Sequence, residues 1–325
     1  MAELLPDDID FAAYLKETDA KAKVKKARVW IGDMKQRLRT KHTERRIHLP
    51  WEKVRDGFDF RYGEVTIWGG VNGHGKSLVT SQVALSLMGQ GEKVAIASFE
   101  MKPMKTLERM TRMYNCMNPF SPEFQGSDGL AALDQLYDEF GDWSDGRLWL
   151  YDQQGTTDAD LVVGMARYCA KELGIKHIFI DNLAKCVKNE DDYNGQKAFV
   201  DEMTAIAKDY DCHVHLVHHM RKGNKETDPL DKSDFKGSGS IADQPDNLIG
   251  VWRNKAKELE AKEGKSTKKD EPDATVRVFK QRNYDGDADG EPLIFLWFNR
   301  DSWQFVGEKD SPNMCFYNPY PHRYE

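Results

Sequence analysis

Residues 70–77 read G-V-N-G-H-G-K-S and match the phosphate-binding pattern G-x-x-x-x-G-K-[ST]. Residues 64–68 (E-V-T-I-W) form a β-branched and aromatic run that predicts a strand, and apolar residues recur at helical spacing through residues 78–88. A strand, a glycine loop and a helix in this order are the context in which the pattern marks a nucleotide site. The sequence therefore predicts a phosphate-binding loop between a strand and a helix.

The residue types of this loop suit a triphosphate and its metal ion. Glycines allow successive backbone N–H groups to turn toward an anion, and the N-terminus of the following helix adds its dipole. Lys76 is expected to reach the outer phosphates, and the hydroxyl of Ser77 is expected to bind Mg²⁺. We therefore predict that the nucleotide contacts Gly70, Asn72, Gly73, His74, Gly75, Lys76 and Ser77.

The composition limits the class of protein. The chain has 325 residues, 31% of them charged, and no apolar run approaches the roughly 18 residues that suggest a membrane span. Residues 1–10 are acidic and lack the basic start and apolar segment of a secretory signal. The five cysteines include no C-x-x-C pair, which favours a reducing compartment and no structural zinc. We expect a cytoplasmic protein without a membrane partner.

The charge is distributed unevenly along the chain. The formal net charge is −7, but residues 21–46 contain eleven Lys or Arg and two acidic residues, so this segment carries +9 and the remainder −16. A basic segment on an acidic body is typical of nucleic-acid contact, and it is equally typical of a solvated helix face. Residues 7–40 have helical spacing, with an apolar stripe from Val24 to Leu38. Either a neighbouring subunit or the chain's own domain is expected to cover that stripe.

From residue 63 onward, predicted strands and helices alternate at the spacing of βαβ units, which indicates an α/β fold with a mainly parallel twisted sheet. We divide the chain into a helical, basic N-terminal arm (1–49), a nucleotide-hydrolysing domain (50–307) and a weakly ordered tail (308–325). Within the domain, the charged residues 254–273 are expected to form a solvated insertion.

Two acidic residues follow buried strands. Glu100 ends the apolar run of residues 93–99, and Asp181 ends the run of residues 176–180. Because ligands gather at the carboxyl ends of strands in a doubly wound sheet, both carboxylates are expected to face the crevice that holds Lys76. Asp181 is predicted to bind the metal ion, and Glu100 is predicted to orient and polarise a water molecule. Strand-end residues without a catalytic role are the alternative for both.

Six segments, in the same order along the chain, resemble the RecA-like motor domain of DnaB-type replicative helicases. They are similar as well to the helicase half of bacteriophage primase-helicases and to mitochondrial Twinkle. The resemblance covers about residues 50–306 and is carried by residues 70–77 (GVNGHGKS), 98–103 (SFEMKP), 178–182 (IFIDN), 216–222 (LVHHMRK), 234–241 (DFKGSGSI) and 279–283 (FKQRN). Priming activity is expected to come from a separate protein.

The resemblance implies catalytic roles for residues that composition and spacing leave open. It supports Glu100 as the group that activates water, and it places His219, rather than the adjacent His218, as the sensor of the γ-phosphate. In this family the Lys and Arg of the last segment reach a neighbour's γ-phosphate, which implies that Arg282 is an arginine finger and Lys280 its companion. By the residues alone, Lys280 and Arg282 are alternate residues on one face of a strand, and two surface histidines without a catalytic role are the alternative for His218 and His219.

The resemblance also implies contacts with DNA and with the nucleotide base. The loop that lines the central channel of the hexamer in relatives is matched by Lys236, Gly237, Ser238, Gly239 and Ser240. A lysine there neutralises a DNA phosphate, and backbone N–H groups bind others without reading bases. Some relatives carry Arg and Glu at the first two of these positions, and a flexible Gly-Ser linker is the alternative. Arg253 and Phe298 match positions where phage relatives sandwich the base, with ordinary packing as the alternative.

These features predict a ring, expected to be a hexamer, that hydrolyses ATP or another NTP or dNTP with Mg²⁺ between subunits and unwinds DNA while moving along a single strand. The expected partners are single-stranded DNA, further copies of the chain, and a separate primase or other replisome proteins. A phage origin, and hence the cytoplasm of a bacterial host, is expected from the compact arrangement. Two alternatives remain: a RecA- or RadA-like recombination or repair ATPase that forms filaments, and a non-catalytic DNA-binding protein with a vestigial nucleotide pocket.

Overall fold

The computed structural model describes residues 3–4, 27–40, 46–54, 57–187, 192–220, 229–236, 243–265, 267–283 and 292–316. Its strands are β1 (Glu3–Leu4), β2 (Ile47–His48), β3 (Asp59–Phe60), β4 (Val65–Gly70), β5 (Val94–Ser98), β6 (Leu148–Tyr151), β7 (His177–Asp181), β8 (His213–His219), β9 (Asn247–Arg253), β10 (Ala274–Gln281), β11 (Leu293–Phe298) and β12 (Phe305–Val306). Its helices are α1 (Ala27–Thr40), α2 (Lys76–Gly89), α3 (Pro103–Tyr114), α4 (Ser127–Ser144), α5 (Ala159–Lys171), α6 (Tyr193–Tyr210), α7 (Lys232–Lys236) and α8 (Lys255–Lys262), with short 3₁₀ turns at Glu52–Val54, Pro122–Phe124 and Leu183–Cys186.

Ten of these strands form one sheet in the order β1-β6-β5-β7-β8-β4-β9-β10-β11-β12. The pairings along the sheet from β1 to β9 are parallel, and those from β9 to β12 are antiparallel. Every residue of β5 (VAIAS) is buried, as is typical of a parallel strand that is covered on both faces. The expectation of an α/β fold with a mainly parallel sheet is confirmed.

The sheet separates two hydrophobic layers. One layer packs α5 and α6 against the sheet and includes Val162 and Met203. The other packs α2 and α3 and includes Val83 and Met110. Since side chains alternate along a strand, Ile67 of β4 lies in the first layer and Trp68 in the second. This two-sided burial holds the carboxyl ends of β4, β5, β7 and β8 at one edge of the sheet.

The N-terminal arm is described in part. Helix α1 is present, and its side chains Ile31 and Met34 are 47% and 54% exposed. Among the described residues, the chain's own domain therefore does not cover these two positions. Residues 7–26 of the predicted helix lie outside the described residues. Glu3–Leu4 pairs in parallel with β6 as an edge strand, which the sequence pattern does not predict because two residues carry no periodicity.

The C-terminal segment differs from the expectation of a weakly ordered tail. The side-chain amide of Gln304 donates to Met314 O (3.0 Å) and accepts from Met314 N (2.7 Å), and Phe316 is only 7% exposed. Residues 308–316 therefore pack against the domain, because Gln304 offers a peptide-like partner that only the folded chain brings near. The remainder of the predicted tail lies outside the described residues.

The charged stretch 254–273 agrees in part with the expected solvated insertion. It contains α8, in which no residue is buried. An ion pair of 2.8 Å between Lys257 and Asp273 closes the segment back on itself. The stretch is thus solvent-facing, as expected, but it has a regular helix that the abundance of charge alone does not indicate.

Three histidines are completely buried on the adjacent strands β7 and β8, and their hydrogen bonds determine their tautomers. Trp68 Nε1 donates to His215 Nδ1 (3.2 Å), so His215 carries its proton on Nε2 and donates it to His177 Nδ1 (3.1 Å). His213 Nδ1 lies 2.6 Å from Arg61 O, which can only accept, so His213 Nε2 accepts from the Thr66 hydroxyl at 2.7 Å. All three rings are therefore neutral donors and acceptors within the core.

Because of these histidines, the protein is expected to lose stability as the pH falls below about 6.5, the pKa of histidine in an unfolded chain. Burial lowers the pKa of His213 to about 4 and holds the pKa values of His177 and His215 well below 6.5. The unfolded chain then binds protons that the folded chain does not, so the contribution is complete above pH 6.5 and is lost progressively as the pH falls. Three such groups give a slope of up to about 4 kcal/mol per pH unit.

Urea denaturation between pH 7.5 and 5 measures this slope, in a window above the titration of ordinary carboxylates. The His177→Gln variant, which cannot be protonated, is the control and should remove about a third of the part of the slope that comes from these three histidines. An unchanged free energy of unfolding between pH 7.5 and 5.5 would contradict the prediction.

Candidate functional site

The glycine loop between β4 and α2 has the geometry of an anion cradle. Gly73 and Gly75 have φ values of 77° and 82°, in the left-handed region that favours glycine. Lys76 is 4% exposed, and its Nζ donates to Gly70 O (2.7 Å) and Val71 O (3.1 Å). Burial lowers the pKa of Lys76 to about 8, against the opposing effect of Asp181 and Glu100. A phosphate that enters this loop offers the ammonium a charged partner in place of two carbonyls.

Asp181 lies beside the loop with one oxygen ready for a further ligand. It ends β7, is 6% exposed, and accepts a hydrogen bond from Ser77 that lowers its pKa, while the larger effect of burial raises the pKa. Its Oδ1 atom is buried and has no hydrogen-bond partner within the described part of the chain. A hydroxyl and an unpaired carboxylate oxygen are hard oxygen donors that suit Mg²⁺. Ser77 and Asp181, which the sequence predicts as metal ligands, therefore lie together and fit that ion.

Glu100 is held by two neighbours at the same edge of the sheet. Its Oε1 accepts from Asn182 Nδ2 at 2.5 Å and lies 3.1 Å from His219 Nε2. Asn182 is completely buried and follows Asp181 directly. Burial lowers the pKa of His219, with Lys76 adding to this effect and Glu100 opposing it. His219 thus lies beside the predicted water-activating carboxylate. Asn182, for which the sequence predicts no role, contacts the same carboxylate oxygen.

The adjacent His218 has a different position. It is 5% exposed, and burial lowers its pKa to about 4. Of the two histidines, only His219 lines the cleft that holds Lys76. Successive residues of a strand point to opposite faces, which explains why these neighbours have different surroundings.

A cleft of about 370 Å³ extends from the loop past these residues to an aromatic wall. Arg253 N donates to His74 Nδ1 (3.2 Å), and the Arg253 side chain pairs with Glu258. Phe298 N donates to Asp273 Oδ2 (2.8 Å). Arg253 and Phe298, the predicted base contacts, both line this cleft. The described residues that line it are Gly73, Gly75, Lys76, Ser77, Leu78, Glu100, Arg109, His219, Arg253, Phe298 and Trp303.

Two cleft residues, Arg109 and Trp303, are missed by sequence reasoning. Within the described part of the chain, the Nε and Nη1 atoms of Arg109 are buried without a hydrogen-bond partner, and its Nη2 lies 3.2 Å from the sulfur of Met101. One helical turn later, Arg112 donates to the carbonyls of the turn before Trp303, at 2.7 Å each, and stacks on the Trp303 ring at 4.2 Å. The sequence does carry a signal, because Arg109 and Arg112 are three residues apart, a spacing that places both on one side of a helix.

Replacing Arg109 by methionine is expected to lower kcat/KM for nucleotide hydrolysis by about 10²-fold, while the nucleotide-free protein becomes more stable. Burial lowers the pKa of this guanidinium, and a buried cation with unpaired donors costs free energy until an anion binds. Steady-state kinetics and the Tm of the nucleotide-free protein check the two effects. The Arg109→Lys control keeps the charge, and its kcat/KM and Tm should lie between those of wild type and Arg109→Met. Full activity of Arg109→Met would exclude a phosphate contact.

The predicted finger and DNA-contact residues lie elsewhere. Lys280 lies in the last two residues of β10, and Arg282 directly follows the strand. In one chain, neither is among the described residues that line the cleft. They contact Asp243 O instead, from Lys280 Nζ at 2.8 Å and from Arg282 Nη2 at 3.2 Å. Lys236 ends the short helix α7. The other predicted DNA contacts lie outside the described residues: Gly237, Ser238, Gly239 and Ser240.

Comparison with known proteins decides the family. Residues 52–297 match the family model described as the DnaB-like helicase C terminal domain. The chain belongs to this family. A DnaB-like domain with an intact glycine loop is a nucleotide-binding module of the RecA-like type, so the expected fold and family are confirmed. Among the described residues, no helix is long and apolar enough to cross a membrane.

Relatives of this DnaB-like chain include a phage protein and two solved structures. The DNA helicase/primase of Enterobacteria phage T3 is 26% identical over 207 residues, which cover 60% of this chain and 36% of the relative. The chain therefore spans about a third of that protein. One solved structure, an ATPase domain, has a TM-score of 0.61 at 17% identity, covering 77% of this chain and 86% of its own. A DnaB-like replicative helicase, solved for its interactions with primase, has a TM-score of 0.60 at 17% identity, covering 76% and 58%.

Proposed function

We propose that the protein is a ring-forming DNA helicase that hydrolyses ATP, or another NTP or dNTP, at subunit interfaces and unwinds duplex DNA while it moves along a single strand. One observation carries this proposal. Lys76, Ser77, Asp181, Glu100 and His219 meet at one end of the sheet, whereas Arg282 lies outside the cleft in the same chain. Membership of the DnaB-like family supports DNA as the polymer along which the protein moves.

The residues of the cleft suit hydrolysis by an activated water. Lys76 and the N–H groups of the loop hold the phosphates. Ser77 and Asp181 would hold Mg²⁺, which would supply positive charge to the triphosphate. Glu100 accepts a proton from the water as the water oxygen attacks the γ-phosphorus and the bond to the bridging oxygen breaks. Asn182 and His219 orient the Glu100 carboxylate through its Oε1 atom. The products are the nucleoside diphosphate and phosphate.

Arg282 and Lys280 complete the site of the next subunit in this proposal. A cation delivered to the γ-phosphate stabilises the charge of the transition state. Since the cleft of one chain lacks both residues among its described lining, an isolated subunit is expected to hydrolyse nucleotide slowly. The unit of function is then an interface between two copies.

Surface chemistry suggests how the copies associate. Four large apolar side chains are exposed along α3, α4 and the turn between them: Met104 (65%), Phe120 (80%), Leu130 (57%) and Tyr137 (43%). Helix α4 reads SDGLAALDQLYDEFGDWS and is strongly acidic, while α1 is basic and exposes Ile31 and Met34. We propose that α1 of one subunit packs on this acidic, apolar face of the next, because apolar stripes and opposite charges match.

A strand-displacement assay on forked duplexes, with either strand offered for loading, tests the proposed activity. Displacement that requires nucleotide and is lost in Lys76→Ala is expected. Hydrolysis stimulated by DNA but with no displacement on any fork would favour the recombination or repair ATPase, and negative-stain images would then show filaments instead of rings. DNA binding by the wild-type protein without any nucleotide turnover would favour the vestigial pocket. Turnover that survives Lys76→Ala would show that the glycine loop does not carry the chemistry.

The assembly surface is tested separately by Leu130→Lys, which places a charge of the same sign as that of α1 on the exposed face of α4. Sedimentation should show fewer large assemblies for this variant than for wild type, because the new ammonium would be buried against Ile31 or Met34 and repelled by the basic side chains of α1. Leu161→Lys makes the same change at an exposed position of α5, in the layer on the other side of the sheet, and this control should assemble normally. Normal assembly of Leu130→Lys would place the interface elsewhere.

A further inference from the structure

Three backbone carbonyls and one buried carboxylate surround the finger residues in the isolated subunit. We call residues 243–246 the finger seat. Arg282 Nη2 donates to Asp243 O and Gln244 O at 3.2 Å each, and Arg282 Nη1 lies 3.3 Å from Asp246 Oδ1, while the backbone N–H of Arg282 donates to Asp246 O at 2.9 Å. Lys280 Nζ donates to Asp243 O at 2.8 Å. Both residues proposed to serve a neighbour's nucleotide are thus engaged within their own chain.

The seat is itself anchored to the rest of the domain. Asp246 is 3% exposed, and its second oxygen, Oδ2, accepts from Val65 N at 3.0 Å at the start of the strand that leads to the glycine loop. Gln244 Nε2 donates to Asp201 Oδ1 of α6 at 2.5 Å. The finger therefore rests on a fixed platform that ties β4, α6 and β10 together.

The atoms used by Arg282 determine what it can offer to a phosphate. A guanidinium grips an oxyanion most strongly through two parallel N–H groups, either Nε with Nη2 or Nη1 with Nη2. Nη2 belongs to both pairs, and here it donates to two carbonyls. Arg282 must therefore leave the finger seat before it can donate two parallel hydrogen bonds to a phosphate. It cannot bind the seat of its own chain and a phosphate in the neighbour's site in this way at the same time.

We propose that Asp246 is a positioning residue that holds the arginine finger on its seat until a neighbour's triphosphate displaces it. This inference rests on the proposed function, because it assigns Arg282 to the next subunit's site. The seat begins three residues after the last predicted DNA contact, Ser240, so DNA that shifts residues 243–246 makes the finger easier to release. Coupling between two binding events is reciprocal. Hydrolysis without DNA is then restrained by the seat, and DNA relieves the restraint.

The Asp246→Asn variant tests the restraint, because it removes the charge that faces Arg282 and keeps an oxygen that can accept from Val65 N. The rate of hydrolysis without DNA is expected to rise about fivefold, the factor that corresponds to the free energy of a modest ion pair. The rate at saturating single-stranded DNA should stay within about twofold of wild type. A DNA-free rate that is unchanged or reduced, or a fall at saturating DNA, overturns the proposal. A merely structural role for Asp246 lowers both rates.

Two further variants keep the test decisive. Asp243→Asn removes a neighbouring charge, but Asp243 contacts Lys280 and Arg282 through its backbone oxygen. This control should therefore hydrolyse nucleotide without DNA at the wild-type rate. A rise in that rate equal to the rise in Asp246→Asn would indicate a general charge effect and overturns the proposal. If Asp246→Asn does not fold, Gln244→Ala loosens the seat at its tie to Asp201 and should raise the DNA-free rate, and no rise overturns the proposal.

The failure of the proposed function is recognised independently. Arg282→Ala should lose hydrolysis with and without DNA, and mixing it with Lys76→Ala should restore part of the rate. If this mixture restores nothing, the assignment of the finger to a neighbour is at fault. If the mixture restores activity but Asp246→Asn has no effect on the DNA-free rate, only the role of Asp246 is overturned.

Discussion

Arg282→Ala is expected to lower the rate of nucleotide hydrolysis by about 10³- to 10⁵-fold, the effect of removing an arginine finger from a phosphoryl-transfer site. The loss should appear mainly in kcat, because the loop residues that bind ground-state phosphates, Lys76 among them, remain on the same chain. Nucleotide binding, measured with a fluorescent analogue, should change by only a few-fold. Steady-state hydrolysis at saturating single-stranded DNA measures the catalytic loss.

Mixing experiments decide whether this residue acts in a neighbouring subunit. When Arg282→Ala is combined with Lys76→Ala in equal amounts, about a quarter of the interfaces in a mixed ring pair an intact loop with an intact finger. Each variant alone should be inactive, and the mixture should regain activity. Arg277→Ala, on the strand that Arg282 follows but away from the cleft, is the control for general damage to β10. A mixture that stays inactive would contradict a shared site.

The Glu100→Gln variant is expected to show the second large effect, a fall in kcat of about 10²- to 10⁴-fold with little change in KM. The amide keeps the shape of the side chain and a carbonyl oxygen for Asn182 and His219, but it does not take a proton from water. Single-turnover hydrolysis separates the chemical step from product release and measures this loss directly. DNA binding in the presence of nucleotide should remain, since Lys76 and the glycine loop that hold the phosphates are unchanged.

The matched control is Glu108→Gln, on the helix that follows Glu100. Glu108 pairs with Lys105 at 2.7 Å through a solvent-facing side chain, and it does not belong to the described lining of the cleft. Its hydrolysis rate should equal that of wild type. A Glu100→Gln variant that retains more than about a tenth of the wild-type kcat would remove Glu100 from the role of water-activating group, and another oxygen of the cleft would have to take the proton.

The fold and much of the candidate site were accessible from sequence because they depend on local rules. The glycine loop is a contiguous motif, and its strand and helix follow from periodicity. Glu100 and Asp181 could be placed together because parallel strands in one sheet end at the same edge. His219 was chosen over His218 through family resemblance, and the structure gives the physical difference, since only the His219 ring lies at the Glu100 carboxylate.

Other parts of the site depend on which distant segments meet. Asn182 gains significance only because β5 and β7 are neighbours and bring its amide to Glu100. Arg109 and Arg112 look like ordinary helix-surface residues until the rotation of α3 turns the first into the cleft and the second onto Trp303. The buried histidines look like any polar residues in strands, because sequence does not tell which strand faces receive hydrogen-bond partners.

The sequence by itself determined that this chain has a phosphate loop on an α/β sheet with carboxylates at the strand ends, since backbone preferences and side-chain alternation are properties of neighbouring residues. Only the tertiary structure decided that Arg282 rests on residues 243–246, away from the nucleotide cleft of its own chain. The pairing of β9 with both β4 and β10 brings that seat and the finger together although Asp246 and Arg282 are 36 positions apart in the sequence. Such contacts depend on strand order and register, which no local pattern specifies.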